Sequence, residues 1–96
     1  MDIESKGRDH RVYYLNPAVL LAVFEDGGVV FDSHSRRCHA INDTGAHVLN
    51  LLDGRRNIQA VVHEVAARFG EPPDRVRKDI DLFLEELIEK GWIDVR

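Results

Sequence analysis

The chain has 96 residues, 44% of them hydrophobic and 31% charged, and a formal net charge of −4. That length excludes a second independent core, and the composition excludes a disordered chain. The single cysteine, Cys38, excludes an internal disulfide and a four-cysteine metal site, while no membrane-length apolar run and no secretory signal is visible, so a cytoplasmic location is expected.

Residues 1–12 mix Lys6, Arg8, Asp9, His10 and Arg11 with no apolar period and read as a loose terminal arm. A single domain is expected over residues 13–96. Tyr13-Tyr14-Leu15 can pack, and Asn16-Pro17 marks a turn. Val19 to Glu25 is apolar on both faces and predicts a strand lying between other layers. Asp26-Gly27-Gly28 predicts a tight hairpin turn, and Val29 to Asp32 the return strand. After the polar turn Ser33-His34-Ser35-Arg36, a third strand runs from Arg37 to Ile41.

From Asn42 the apolar period lengthens. Asn42 or Asp43 caps a helix that buries Ala46, Leu49 and Leu52, and Gly54 is expected to end it in the left-handed conformation. Ile58, Val61, Val62, Val65, Ala66 and Phe69 form the stripe of a second helix, capped by Asn57 and stopped by Gly70. Pro72-Pro73 blocks its continuation. Asp74 is then expected to cap a third helix with the stripe Val76, Ile80, Phe83, Leu84, Leu87 and Ile88, ending at Lys90-Gly91. Trp92 to Val95 predicts a short strand or an extended tail. The fold class is α+β: a winged-helix-like domain, a three-stranded antiparallel sheet followed by three helices that share its core.

Reactive groups do not converge in this pattern. There is no Gly-rich phosphate loop, no His-Glu-x-x-His and no Gly-x-Ser-x-Gly, so an enzyme is not expected. His34, Cys38 and His39 are near neighbours, but Cys38 and His39 on one strand point to opposite faces, and zinc needs more ligands than remain. Cys38 reads as a half-buried core residue, without a metal or a nucleophilic role. No cofactor is implied. A winged-helix DNA-binding regulator is the rival reading, yet residues 74–90 hold four bases against six acids, and an acidic recognition helix is repelled by a duplex.

A sheet edge can instead accept a peptide as an added strand. On that reading Arg37 and His39 stand on the strand side of a groove, and Arg77, Asp81 and Glu85 on its helical side at i, i+4, i+8 spacing. An exposed edge can also pair with its own copy, so a homodimer is open.

Several blocks, taken together, resemble the PqqD family. They are Val30-Phe31-Asp32, the run from Cys38 through Asn42-Asp43-Thr44-Gly45 to Ala46, Leu51-Leu52-Asp53-Gly54, and Ile80 through Gly91-Trp92-Ile93. The match runs from about Leu15 to Ile93. The resemblance implies a non-catalytic peptide chaperone, or RiPP recognition element, that captures the leader of a ribosomally made precursor peptide. The leader is expected beside the third strand and against the third helix, at Arg37, Cys38, His39, Ala40 and Ile41 and at Arg77, Asp81, Leu84 and Glu85. The implied partner is a tailoring enzyme, such as a radical S-adenosylmethionine enzyme or a leader peptidase, with no nucleic acid and no membrane. Members serving pyrroloquinoline quinone synthesis usually carry a Leu-Ala-Pro-Glu-like stretch where Ser33-His34-Ser35-Arg36 stands here, and Cys-Asp-Gly where this chain has Leu52-Asp53-Gly54. The Ile41 to Gly45 run is closer to stand-alone members of lasso-peptide and other radical-enzyme pathways.

Overall fold

The computed structural model describes residues 10–96, and these described residues include six strands and three helices. Strands β2 (Val19–Phe24), β3 (Gly27–Asp32) and β4 (Arg37–Asn42) make an antiparallel sheet in the order β2-β3-β4. Their pairing runs from Val19 opposite Asp32 to Phe24 opposite Gly27, and from Gly27 opposite Asn42 to Asp32 opposite Arg37.

The first hairpin turn is Glu25-Asp26, one step earlier than the glycines suggest. Gly27 and Gly28 lie within β3, where close approach rather than turn geometry demands them. A Cβ on Gly28 would stand 2.7 Å from the Ala22 carbonyl oxygen and 3.1 Å from the Ala46 methyl. The missing side chain lets helix α1 (Asp43–Leu51) lie on the sheet.

β2 is not enclosed between layers. It is an edge strand, with Leu20 65% and Phe24 57% exposed. Its outward residues continue across the sheet through Val29 and Phe31 to the exposed Ala40 and Cys38, so this outer face is apolar. Cys38 is exposed and not half-buried, because strand alternation turns it away from the core.

A second antiparallel sheet, β5-β1-β6, joins β1 (Val12–Leu15), β5 (Asp53–Asn57) and β6 (Ile93–Val95). Val12 is thus the first residue of β1, paired with Asn57, and not part of an arm. The rest of that expected arm, up to Asp9, lies outside the described residues. Gly54 does not terminate α1. The helix ends at Leu51, and Gly54 sits inside β5 with φ 78° at an irregularity in the β1 pairing.

Helices α2 (Ile58–Phe69) and α3 (Pro73–Lys90) follow. Asn42 and Asn57 cap α1 and α2, their side-chain oxygens accepting from the Gly45 amide at 2.7 Å and the Ala60 amide at 2.9 Å. Asp74 does not cap α3. Pro72 holds the cap position and Pro73 the first turn, placing Asp74 inside the helix near its positive end.

One core joins both sheets and all three helices. Val30, Val48, Leu49, Ile58, Val61, Val65, Leu84 and Leu87 are fully buried, with Tyr13, Trp92 and Ile93 closing it from the second sheet. Ile88, expected in the core stripe, is 49% exposed. The closing segment is tied down by polar bonds. Asn16 donates from its backbone to the Trp92 carbonyl at 2.8 Å and from its side chain to Asp94 at 2.9 Å. No helix among the described residues is long and apolar enough to cross a membrane.

Candidate functional site

The first sheet ends in two edges, β2 and β4, and it is the edge of β4 that runs beside α3. Among the described residues β4 pairs with β3 alone. In an antiparallel ladder, opposed residues alternate between hydrogen-bonded and non-bonded pairs. The Ser33 amide donates to the Ala18 carbonyl at 2.9 Å, which fixes the phase of the β2–β3 ladder. Phe31 and Val29 therefore bond toward β2, and Gly28, Val30 and Asp32 bond toward Ile41, His39 and Arg37 of β4. The N–H and C=O groups of Cys38 and Ala40 are left pointing outward, ready to pair with an added strand.

The same alternation turns the side chains of His39 and Ile41 toward α3. The His39 ring meets the Trp92 ring edge-to-face at 4.9 Å between centroids. Trp92 in turn donates its Nε1 proton to Asp32 at 3.1 Å, and Lys90 Nζ stands 5.4 Å from its ring. Partial desolvation would raise the pKa of the Asp32 carboxyl. The bonds from Trp92 and from the His34 and Ser35 amides outweigh it and hold the group below the usual carboxylate range.

Two clefts open along this seam. The larger, about 680 Å³, lies between the start of α1 (Asn42, Thr44, Gly45) and the α3 residues Asp79, Phe83 and Glu86, with apolar walls from α2 behind. Gly45 sits between these elements: a Cβ at that position would stand 3.1 Å from Asn42 Oδ1 and in ordinary contact with the Phe83 ring at 3.5 Å and the Ile41 Cβ at 3.9 Å. The smaller, about 420 Å³, is lined by Asp32, Ser35, Arg37, His39, Lys90 and Trp92. Ser35 belongs to the β3–β4 turn, the stretch that departs from the quinone-pathway pattern.

The structure brings Arg37, His39 and Ile41 to this seam, and Cys38 and Ala40 contribute their backbone. On α3 the residues that face it are Asp79, Phe83, Glu86 and Lys90, at i, i+4, i+7 and i+11. Arg77, Asp81 and Glu85 line neither cleft. At roughly 100° per residue they fall on the opposite flank of the helix, where Arg77 Nε pairs with Asp81 Oδ2 at 3.5 Å. Leu84 is 0% exposed and is a core residue with no surface to offer a ligand. The i, i+4, i+7 spacing of Asp79, Phe83 and Glu86 was the available signal for the flank that lines the clefts.

Comparison with known structures places this arrangement in a class. The fold superimposes on TbiB1 in complex with the TbiA(beta) leader peptide with a TM-score of 0.75, at 20% identity, over 84% of this chain and 94% of that one. Lasso peptide synthetase B1 complexed with its leader peptide gives 0.74 at 22% identity, over 86% and 98%. The PqqD truncation of Methylobacterium extorquens PqqCD, a stand-alone RiPP recognition element, gives 0.71 at 24% identity, over 86% and 88%. The fold is that of a RiPP recognition element.

The family profile of coenzyme PQQ synthesis protein D matches residues 27–93, from β3 to β6, and the chain belongs to the PqqD family. Among curated relatives, the PqqA binding protein of Pseudomonas savastanoi pv. phaseolicola is 38% identical over 55 residues, 57% of each chain. That of Gluconobacter oxydans is 32% identical over 55 residues, again 57% of each. The chain thus spans rather more than half the length of the curated relatives it matches.

Proposed function

We propose that this protein captures the leader segment of a ribosomally synthesised precursor peptide as a fourth strand on β4 and presents it to a modifying enzyme. The observation that carries the reading is the outward backbone of Cys38 and Ala40 beside a groove closed by α3. Edge addition draws affinity from backbone bonds, and alternate peptide side chains enter the groove for selectivity. The naming of several relatives as PqqA binding proteins, and of two similar folds as leader-peptide complexes, supports it.

On this reading the domain has no catalytic role and works in the cytoplasm. The enzyme it serves is a radical S-adenosylmethionine enzyme or a leader peptidase, and the free edge is reserved for peptide rather than for a second copy. DNA binding gains no support, because the third helix keeps its acidic excess and the family match points elsewhere.

The test is a titration of the isotope-labelled protein with the leader of the precursor peptide encoded nearest to it, with duplex DNA as the control. Saturable amide shifts concentrated on residues 37–42 and 79–90 with peptide alone are expected. Shifts with DNA alone, falling steeply with salt, would restore the regulator reading.

A further inference from the structure

Backbone pairing along β4 supplies affinity but does not choose a register, since a strand slipped by two residues makes the same bonds. The side chains flanking the edge do discriminate, because the two ends of the groove carry opposite charge. At the Arg37 end, Arg37 and Lys90 face the small cleft, and neither is paired with a carboxylate among the described residues. The one acid there, Asp32, has its two carboxylate oxygens engaged by the His34 amide and the Trp92 indole. At the Asn42 end, Asp79 faces the large cleft without an ion-pair partner among the described residues, while Arg75 pairs with Glu71 at 3.6 Å; Glu86 lines the same cleft farther along, between Phe83 and Lys90. Between them lies the apolar contact of Ile41, Gly45 and Phe83.

The separation of the ends makes this order legible to a peptide. From Arg37 to Asn42 a strand rises by roughly 17 Å, and from Lys90 back to Asp79 a helix rises by about the same distance. That is about twice the screening length at physiological salt, so each end acts on its own peptide residue and the two do not cancel.

Resting on the strand-addition reading, we infer that this groove selects peptides whose groove-facing residues, at i, i+2 and i+4 from N- to C-terminus, are basic, large apolar and acidic. The acidic side chain lies against Arg37 and Lys90, the apolar one at Phe83, and the basic one at Asp79. The direction follows from antiparallel addition to β4, the pairing that the rest of the sheet uses.

Three capped nine-residue peptides on a threonine host test this by amide-shift titration. Their groove-facing order is Lys, Leu, Glu; or Glu, Leu, Lys; or Gln, Leu, Gln. The first is expected to bind roughly 3- to 10-fold more tightly than the neutral peptide at low salt, the range that two partly exposed charge pairs allow. The advantage shrinks in 0.5 M salt, as screening requires. In the double variant Arg37→Glu with Lys90→Glu, checked for an unchanged melting temperature, preference passes to a fourth peptide ordered Lys, Leu, Lys.

Equal affinity of all peptides, with shifts still centred on Cys38 and Ala40, overturns the charge order and leaves strand addition standing. Tighter binding of the Glu, Leu, Lys peptide overturns the stated direction. If no peptide shifts Cys38 and Ala40, strand addition itself is refuted, and the charge order falls with it.

Discussion

Proline at position 40 separates a peptide-binding edge from a merely structural strand. The Ala40 amide points away from β3, so Ala40→Pro removes no bond of the existing sheet, and proline is tolerated on strand edges whose N–H faces out. The melting temperature should therefore change little. A strand added to β4 loses one donor and leaves its own carbonyl unsatisfied, a loss of about 1–3 kcal/mol, or a roughly 5- to 150-fold weaker Kd. The pyrrolidine ring also projects into the space the added strand must occupy. His39→Pro is the opposing control: its amide bonds to Val30 within the ladder, so it should unfold the domain at lower temperature. Isothermal titration with a leader peptide, alongside thermal melts, reads both quantities. Unchanged peptide affinity in a folded Ala40→Pro variant would refute pairing along β4.

Other consequences are equally direct. Leu84→Ala should cost about 2–5 kcal/mol by cavity formation in a fully buried site, visible in denaturant melts, while the fraction still folded binds peptide normally. Phe83→Ala should do the reverse, lowering stability less and weakening peptide binding, since this ring lines the larger cleft and is only partly buried. Asn57→Ala should cost about 1 kcal/mol through loss of the cap on the Ala60 amide, measured by the same melts. Burial, helped by nearby Arg68, lowers the His47 pKa below its ordinary 6.5. The folded state therefore resists a proton that the unfolded chain accepts, and stability present above about pH 6.5 is lost as the pH falls toward the folded value. His47→Gln should flatten the melting temperature between pH 5 and 7 relative to the parent; an unaltered pH slope would exclude His47 as its source.

The helices were readable because their stripes, caps and stops agree at every level. Asn57, Gly70 and the double proline bracket α2 and α3 without reference to anything distant. The hairpin strands were readable for the same local reasons, apart from a one-residue shift of the first turn. The second sheet was not. Its strands are three to five residues long, β5 reads Asp-Gly-Arg-Arg-Asn with no apolar alternation, and its partners lie at opposite ends of the chain. Such pairing leaves no mark on a local window.

The site shows the same division. Strand β4 was placed because its residues follow a turn and alternate. Which flank of α3 lines the clefts was not legible, because the apolar stripe states which face goes inward while both flanks of that stripe are charged. Which flank meets β4 depends on how α1 and α2 turn the helix, and only packing decides that. Leu84 lies outside the clefts for a simpler reason: a residue on the stripe itself supports the groove from beneath and cannot also line it.

Sheet β5-β1-β6 has one more effect, on the order in which the molecule becomes competent. Tyr13 pairs with Val95, and the Arg96 amide donates to the Val12 carbonyl at 2.8 Å. Trp92, which contacts His39 and lines the smaller cleft, is anchored through Asn16 beside this same pairing. Contacts between such remote segments bear the largest loop-closure cost and form last. A chain still emerging from the ribosome can assemble the β2–β4 hairpins and begin its helices, yet it lacks the wall that Trp92 and Lys90 supply. On the strand-addition reading, capture of a precursor must wait until β6 has paired with β1, because the wall of the smaller cleft is not complete before then.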